Sequence, residues 1–259
     1  MALLLLLQIL LAAAAAPAAR AWGVEGHYMT CKIAEGLLTS EATEVVKGLL
    51  PEWTNGELAK TTWDCYGPEG EKDMRVVGGI NNYTAALQDS SSPYNQTESL
   101  MFLAHFLGDV HQPMHCGRTA DRGGNDIPVT WYSIAITDLH KVWDDKVIQT
   151  AMNKFYQDDL STMIDAIKLN LTENWSTEEN QWVACSTQTT TCADKYAEES
   201  AELSCPAYVG VEPHSNLEDK YFYSAMPIVE KRIAQGGVRL AAILNRIFSR
   251  KNGSRLQSL

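Results

Sequence analysis

The histidines of this chain are few, and several stand near carboxylates at a spacing typical of cation binding. Three of the six histidines lie between residues 105 and 115, and two stretches share the pattern His-x-x-x-Asp, His105 with Asp109 and His140 with Asp144. Residues four apart on a helix lie on one face, so each pair can bind one cation. Imidazole nitrogen and carboxylate oxygen form a donor set that suits zinc. A lone copy is usually a surface ion pair, but two copies, with His115 beside one of them, favour a metal site. His115 lies just past the helix break expected at Pro113, so its side chain can turn toward the second helix.

Two histidines lie outside this pattern. His111 follows Asp109 by two residues, off the shared helix face, and we interpret it as structural, with a ligand role as the alternative. His214 lies in a loop between Pro213 and Ser215 and is expected to be exposed to solvent.

The composition limits the class of protein. The chain has 259 residues, 45% of them hydrophobic, and 21 Lys and Arg against 32 Asp and Glu give a formal net charge of −11. These values exclude a disordered chain, a collagen-like repeat and a basic protein that coats nucleic acid. They do not exclude an enzyme that cuts nucleic acid, because bound cations can reverse the field inside one cleft.

The first residues have the pattern of a secretory signal. Residues 1–21 are almost wholly Leu and Ala and end in Ala19-Arg20-Ala21, a small-x-small cleavage pattern. A membrane anchor is the weaker alternative, because the apolar run is short for a bilayer. Cleavage would leave a domain of residues 22–259 whose first residue, Trp22, could chelate a cation through its amino group and carbonyl. On residue chemistry alone, a packed Trp22 and a His27 that starts a helix are the simpler interpretation.

Other features agree with secretion. The chain has six cysteines and no Cys-x-x-Cys pair, which favours disulfides over a zinc ribbon and leaves their pairing open. Sequons for N-glycosylation occur at Asn82, Asn95, Asn170, Asn174 and Asn252. No later stretch is apolar enough to cross a membrane, so we expect a secreted glycoprotein that acts away from the bilayer.

The elements that must position these residues are mostly helices. Apolar spacing and capping residues predict helices over Tyr28–Leu38, Glu41–Leu50, Met74–Leu87, Thr97–Gln112, Leu139–Phe155, Leu160–Leu171 and Lys195–Leu203. A long helical pattern over Tyr221–Phe248 is interrupted at Gly236-Gly237, and Pro128–Ile136 is expected to be extended. No repeat or linker marks a second domain. The pattern predicts one compact all-α domain.

Several motifs in a fixed order resemble those of a known family. They are Trp22-Gly-Val-Glu-Gly-His27, His105-x-x-x-Asp109-x-His111-Gln-Pro-x-His115, Gly123-Gly124-Asn125, Trp131-Tyr132 and Leu139-His140-x-Val-Trp-Asp144. This set resembles the single-strand-specific zinc nucleases of plants and fungi, the S1/P1 type. Pro227-Ile-Val-x-Lys-Arg-Ile and Gln235-Gly-Gly-Val-Arg-Leu-Ala are similar to the plant branch, whose members are called bifunctional nucleases.

The resemblance implies a helical fold around three zinc ions. By the family pattern, one ion would be held by Trp22, His27 and Asp109, a second by His115, His140 and Asp144, and a third by His105 with Asp109 as a bridge. Gly123, Gly124 and Asn125 would lie beside the cluster, where the amide of Asn125 could contact a base. The implied activity is hydrolysis of phosphodiester bonds in RNA and single-stranded DNA and removal of 3′-phosphates from nucleotides, by a secreted monomer.

The chain departs from the family pattern in one segment. The family carries an acidic motif of the type Trp-x-Asp-x-Ile-Arg and a further histidine, but here no histidine lies between His27 and His105 and the segment after Lys60 is short. We therefore expect the third zinc to be weak or missing, which leaves two, and the activity to be impaired. The alternatives are an inactive secreted zinc-binding glycoprotein and a zinc phosphodiesterase of the phospholipase C type.

Overall fold

The computed structural model describes residues 22–61, 76–185 and 191–255. The predicted signal peptide, residues 1–21, lies outside these residues, as do Met74, where one helix was predicted to begin, and residues 256–259 of the predicted domain. None of the described helices is long and apolar enough to cross a bilayer.

The described chain is mainly helical. Its α-helices are α1 (Val24–Glu35), α2 (Ser40–Leu49), α3 (Val76–Gln88), α4 (Gln96–His111), α5 (Leu139–Lys141), α6 (Val147–Phe155), α7 (Leu160–Glu173), α8 (Glu179–Trp182), α9 (Ala193–Ser204) and α10 (Asp219–Arg255). Short 3₁₀ turns cover Glu52–Thr54, Leu58–Thr61, Pro113–Cys116, Thr119–Asp121 and Cys205–Tyr208, and a π-helical turn, Val142–Lys146, joins α5 to α6. The predicted all-α class is confirmed, with helix ends that differ from the predicted ends by a few residues.

One small sheet accompanies the helices. Its strands are β1 (Pro128–Trp131), β2 (Ala135–Asp138) and β3 (Asn216–Leu217), in the order β2-β1-β3. β1 pairs antiparallel with β2 and parallel with β3. The predicted extended piece is therefore a hairpin, and it leads directly into α5.

The predicted interruption at Gly236-Gly237 is wrong, because α10 continues through both glycines. A Cβ atom at Gly237 would lie 2.5 Å from Cγ2 of Ile33, and one at Gly236 would lie 3.2 Å from Cγ2 of Thr30. Both contacts are with α1. The glycines are thus explained by the close approach of two helices rather than by a break in one of them.

Two apolar clusters form the interior, and α1 and α10 contribute to both. In α1, Met29 packs in one cluster and Ala34 in the other. α4 contributes Leu103 and Leu107 to the second cluster, whereas Trp143 of the π-helical turn belongs to the first. α1 therefore packs between the helix that carries one His-x-x-x-Asp pair and the segment that carries the other.

The cysteines and sequons differ in accessibility. Cys185 and Cys192 form a disulfide, and Cys31, Cys116 and Cys205 make none among the described residues. Asn95 and Asn174 are exposed, Asn170 is half-buried, and the side-chain nitrogen of Asn82 is buried. Asn252 lies in the last turns of α10. Glycosylation stays a prediction, and because a glycan is attached to the amide nitrogen, the surface favours Asn95 and Asn174.

Candidate metal centre

The first group of candidate ligands, the first triad, consists of His27, His105 and Asp109. His27 lies in α1, and the other two lie one turn apart on α4. Nε2 of His27 and Nε2 of His105 each approach an oxygen of Asp109 to 3.2 Å, and the two imidazole rings stack with centroids 4.5 Å apart. One ligand atom from each residue lies within 4.8 Å of the others, close enough to share one cation. The predicted pairing of His105 with Asp109 on one helix face is therefore observed.

Gly108 makes this approach possible, and sequence reasoning missed it. A Cβ atom at Gly108 would lie 2.4 Å from Nδ1 of His27, closer than real Cβ contacts. The absence of a side chain on α4 is what lets the imidazole from α1 reach Asp109. The available signal was a glycine inside an otherwise regular helical pattern, which often marks close packing.

The second triad consists of His115, His140 and Asp144. Nε2 of His115 lies 3.8 Å from Oδ1 of Asp144, Nε2 of His140 lies 3.5 Å from Oδ2 of the same carboxylate, and the two Nε2 atoms lie 3.3 Å apart. One ligand atom from each of the three residues again falls within 4.8 Å of the others. The turn Pro113–Cys116 redirects His115 toward α5, as expected from Pro113. Among the described residues these two triads are the groups able to hold a metal ion.

Residues 123–125, the loop predicted to contact the substrate, position one histidine of the second triad. The carbonyl of Gly123 accepts a hydrogen bond of 2.8 Å from Nδ1 of His140, which leaves Nε2 of that ring as the ligand atom. Gly123 has φ of +64°, and a Cβ atom there would lie 2.2 Å from the carbonyl oxygen of Met114. Gly124 is also buried, and the side-chain nitrogen of Asn125 donates to the carbonyl of Arg122 at 2.7 Å. The loop therefore positions His140, and contact with a base remains a prediction.

The chain before α1 is attached to the second triad. Trp22 is buried, and the backbone nitrogen of Gly23 donates to the carbonyl of Asp144 at 3.1 Å. A Cβ atom at Gly26 would lie 2.9 Å from Cβ of Trp22, so the first turn of α1 packs directly against the tryptophan. Trp22 thus packs against the first turn of α1, next to the glycine that binds Asp144, and its role as a ligand remains a prediction.

Gln112 is a second residue whose role sequence reasoning missed. It is fully buried at the end of α4, its Nε2 donates to Oδ1 of Asp144, and its Oε1 accepts from the backbone nitrogen of Met114. Gln112 was part of the motif His-Gln-Pro-x-His noted in the sequence, but its spacing gave no reason to pair it with a residue of the π-helical turn Val142–Lys146.

The environment determines the charge of the carboxylates. Burial raises the pKa of Asp109, but the neighbouring His105 and His27 outweigh burial, so the net pKa lies below its usual range. Burial raises the pKa of Asp144, and His115 and His140 offset only part of this effect. A divalent cation favours the ionised form of a buried carboxylate, so it would compensate the cost of burying both charges.

The first triad also contains buried polar atoms that lack hydrogen bonds. No hydrogen bond with acceptable geometry reaches Nδ1 or Nε2 of His27 or Oδ1 of Asp109 in the described part of the chain. Buried polar atoms in folded proteins are nearly always satisfied, which points to a ligand that takes their lone pairs. Burial also lowers the pKa of His27, which keeps the imidazole in the neutral form that binds metals. The donors therefore fit a divalent cation, and two imidazoles with one carboxylate are typical of catalytic zinc.

The two remaining histidines behave as expected. His111 is fully buried, its Nε2 accepts from the guanidinium of Arg239 at 2.9 Å, and its Nδ1 donates to the carbonyl of Leu107 at 2.6 Å. Burial, reinforced by Arg232 and Arg239, holds its pKa well below the usual range, so it is a neutral structural residue. His214 is exposed.

Known proteins resemble this chain over most of its length. A family model described as S1/P1 Nuclease matches residues 60–249. Endonuclease 4 of Arabidopsis thaliana is 43% identical over 270 aligned positions, gaps included, which take in 89% of this chain and 90% of that protein. Endonuclease 2 of the same plant is 42% identical, over 90% of this chain and 93% of that protein. Nuclease S1 of Aspergillus oryzae is 26% identical over 88% of this chain and 92% of that protein.

The alignment with Endonuclease 4 spans 270 positions, more than this chain has in total, so part of the relative has no counterpart here. That excess agrees with the shortened segment inferred from the sequence. The family is metal-dependent, and this chain brings together two groups of His and Asp that could bind metal. The chain belongs to the S1/P1 nuclease family and is a nuclease that acts on nucleic acid.

Proposed function

We propose that this protein is a secreted zinc-dependent endonuclease that hydrolyses RNA and single-stranded DNA and removes 3′-phosphates from nucleotides. The observation that carries the proposal is the pair of triads, each buried except for one half-buried histidine, in which one ligand atom from each of two imidazoles and one carboxylate lies within 4.8 Å of the others. Family membership supplies the reaction class, and the donor set supports zinc over magnesium, which prefers oxygen ligands.

The residues of the chain hold and orient the metal. His27, His105 and Asp109 would hold one zinc, with the amino group and carbonyl of Trp22 as further donors, and His115, His140 and Asp144 would hold another. Asp109 offers two oxygens, one facing each imidazole, so it could hold this ion and also bridge to the weak third ion that the family pattern implies. Zinc held there would activate water near neutral pH and would neutralise the charge of the phosphate.

The charge distribution supports capture of the substrate at the metal. A chain of net charge −11 repels nucleic acid at long range. Near the second triad, Lys141 is paired with Asp145 and Arg122 with Asp126. Bound cations would therefore supply most of the attraction for phosphate, and a flexible single strand can bring a phosphate to a buried cluster more easily than a duplex can.

The number of ions is part of the proposal. The described residues provide two triads, and the chain lacks the family motif that would complete a third site. We expect two tightly bound zinc ions and a turnover below that of relatives with the full segment. An inactive zinc-binding glycoprotein is the second candidate, favoured by the same shortened segment.

The proposal is tested with the purified mature protein on single-stranded DNA, RNA, a 3′-nucleotide and phosphatidylcholine, with and without a chelator. Cleavage of nucleic acid that the chelator abolishes supports the nuclease. Bound zinc with no hydrolysis supports the inactive glycoprotein, and hydrolysis of phosphatidylcholine alone would indicate the phospholipase C type. Asp109→Ala should empty the first triad and so release one of the two bound ions, and equal loss from His214→Ala, the exposed control, would refute the ligand assignment.

A further inference from the structure

Gln112 connects the two segments that form the second triad. It follows α4 and caps the turn Pro113–Cys116, and its own backbone nitrogen donates to the carbonyl of Asp109 at 3.0 Å. Its side chain reaches Asp144, a residue 32 positions away along the chain. This single buried residue therefore touches the helix of the first triad, the turn that carries His115 and the carboxylate of the second triad.

The hydrogen bonds fix the direction of the Gln112 amide. The backbone N–H of Met114 can only donate, so the amide oxygen must face Met114 and the amide NH₂ must face Asp144. Oδ1 of Asp144 then accepts a hydrogen bond from Gln112. Rotation of the carboxylate would break this bond, and Oδ2 is left facing His140 at 3.5 Å.

The same amide positions His115. A hydrogen bond from the nitrogen of Met114 to Oε1 of Gln112 holds the first residues of the turn, and His115 is the next residue along the chain. Buried side chains that hydrogen-bond to metal ligands set the geometry and affinity of metal sites. Gln112 thus positions two of the three candidate metal ligands of the second triad without being a metal ligand itself.

We propose that Gln112 is a positioning residue that holds Asp144 and His115 in the geometry that binds the second cation. The inference rests on the proposed function, because it requires that the second triad binds zinc. It assigns Gln112 a role in metal affinity at one site and none at the first triad.

The test measures zinc affinity at both sites by competition with a chromophoric chelator, using the mature protein. Gln112→Met keeps the length of the side chain and removes both hydrogen bonds. Gln112→Glu retains an acceptor for Met114 but presents a carboxylate to Asp144. Each should weaken one of two bound ions by about 10- to 100-fold and leave the other unchanged. Gln235→Met, at another buried glutamine, is the control and should leave both affinities unchanged.

A double-mutant cycle separates positioning from general loss of structure. In an Asp144→Ala background, where the second ion is already lost, Gln112→Met should cause no further change in the affinity of the remaining ion. If Gln112→Met weakened zinc binding at the first triad by about 10- to 100-fold in that background, the inference would be overturned. Wild-type zinc affinity at both sites in a folded Gln112 variant would also overturn it. A wild-type protein that binds no zinc would instead refute the proposed function, so the two failures are distinguishable.

Discussion

Gly108→Ala should damage the first triad through a single added methyl group. The new Cβ atom would lie 2.4 Å from Nδ1 and 2.7 Å from Cε1 of His27, whereas ordinary contacts begin at 3.4 Å. The imidazole would have to move by about 1 Å. Both residues are buried inside helices, so a shift of either one disturbs closely packed neighbours. Such overpacking costs about 1–3 kcal/mol, against which alanine gains about 0.5–1 kcal/mol of helix propensity over glycine.

Gly48→Ala is the matched control. Gly48 lies in α2, is exposed, and has no atom within 4 Å of the added Cβ, so the same substitution should stabilise the protein by about 0.5–1 kcal/mol. The assays are urea denaturation and zinc content. Gly108→Ala should be about 1–3 kcal/mol less stable than Gly48→Ala and should lose affinity at the ion held by His27. Equal stability of the two variants with full zinc content would refute the role assigned to Gly108.

Three further predictions concern the packing around the site. Glu199 binds the buried guanidiniums of Arg232 and Arg239 at 2.7–2.9 Å, so Glu199→Gln should cost about 3–5 kcal/mol in denaturant unfolding, and a loss below 1 kcal/mol would contradict this ion network. Burial raises the pKa of Glu199, but the two arginines outweigh it and the net pKa lies below its usual range. The stabilisation by Glu199 is therefore complete above the ordinary glutamate pKa and is lost as pH falls through the lower folded-state pKa. The difference in unfolding free energy between wild type and Glu199→Gln should shrink in acid, and a difference that grew would contradict the assignment. Gly237→Ala should destabilise the α1–α10 contact through its clash with Ile33, and unchanged thermal stability would show that this approach is not tight.

Much of the architecture could be predicted from local patterns. The helical spacing of apolar residues located nearly every helix, because burial of one face sets a period of 3.6 residues. The pairs His105 with Asp109 and His140 with Asp144 followed from the same period, since residues four apart share a face. The Pro113 break predicted the change of direction that sends His115 toward α5.

The local sequence patterns gave wrong or incomplete predictions where the structure depends on contacts with another segment. Gly236-Gly237 was predicted to interrupt α10, but the space that these glycines leave is filled by α1. The hairpin of β1 and β2 was predicted only as one extended piece. Its pairing depends on a turn in which Tyr132 and Ser133 have positive φ, and residues of these types seldom adopt that conformation, so the sequence did not indicate the turn.

The sequence by itself determined which residues could bind a cation and which faces of their helices they share, because both depend on side-chain chemistry and helix period. The resemblance to a known family implied which of them meet, and only the tertiary structure shows how they do so. His27 reaches Asp109 across the gap left by Gly108, and Gln112 reaches Asp144 from another segment, contacts made by packing between helices far apart in the chain. Packing depends on the shapes of both partners at once, and no local pattern in either one contains that information.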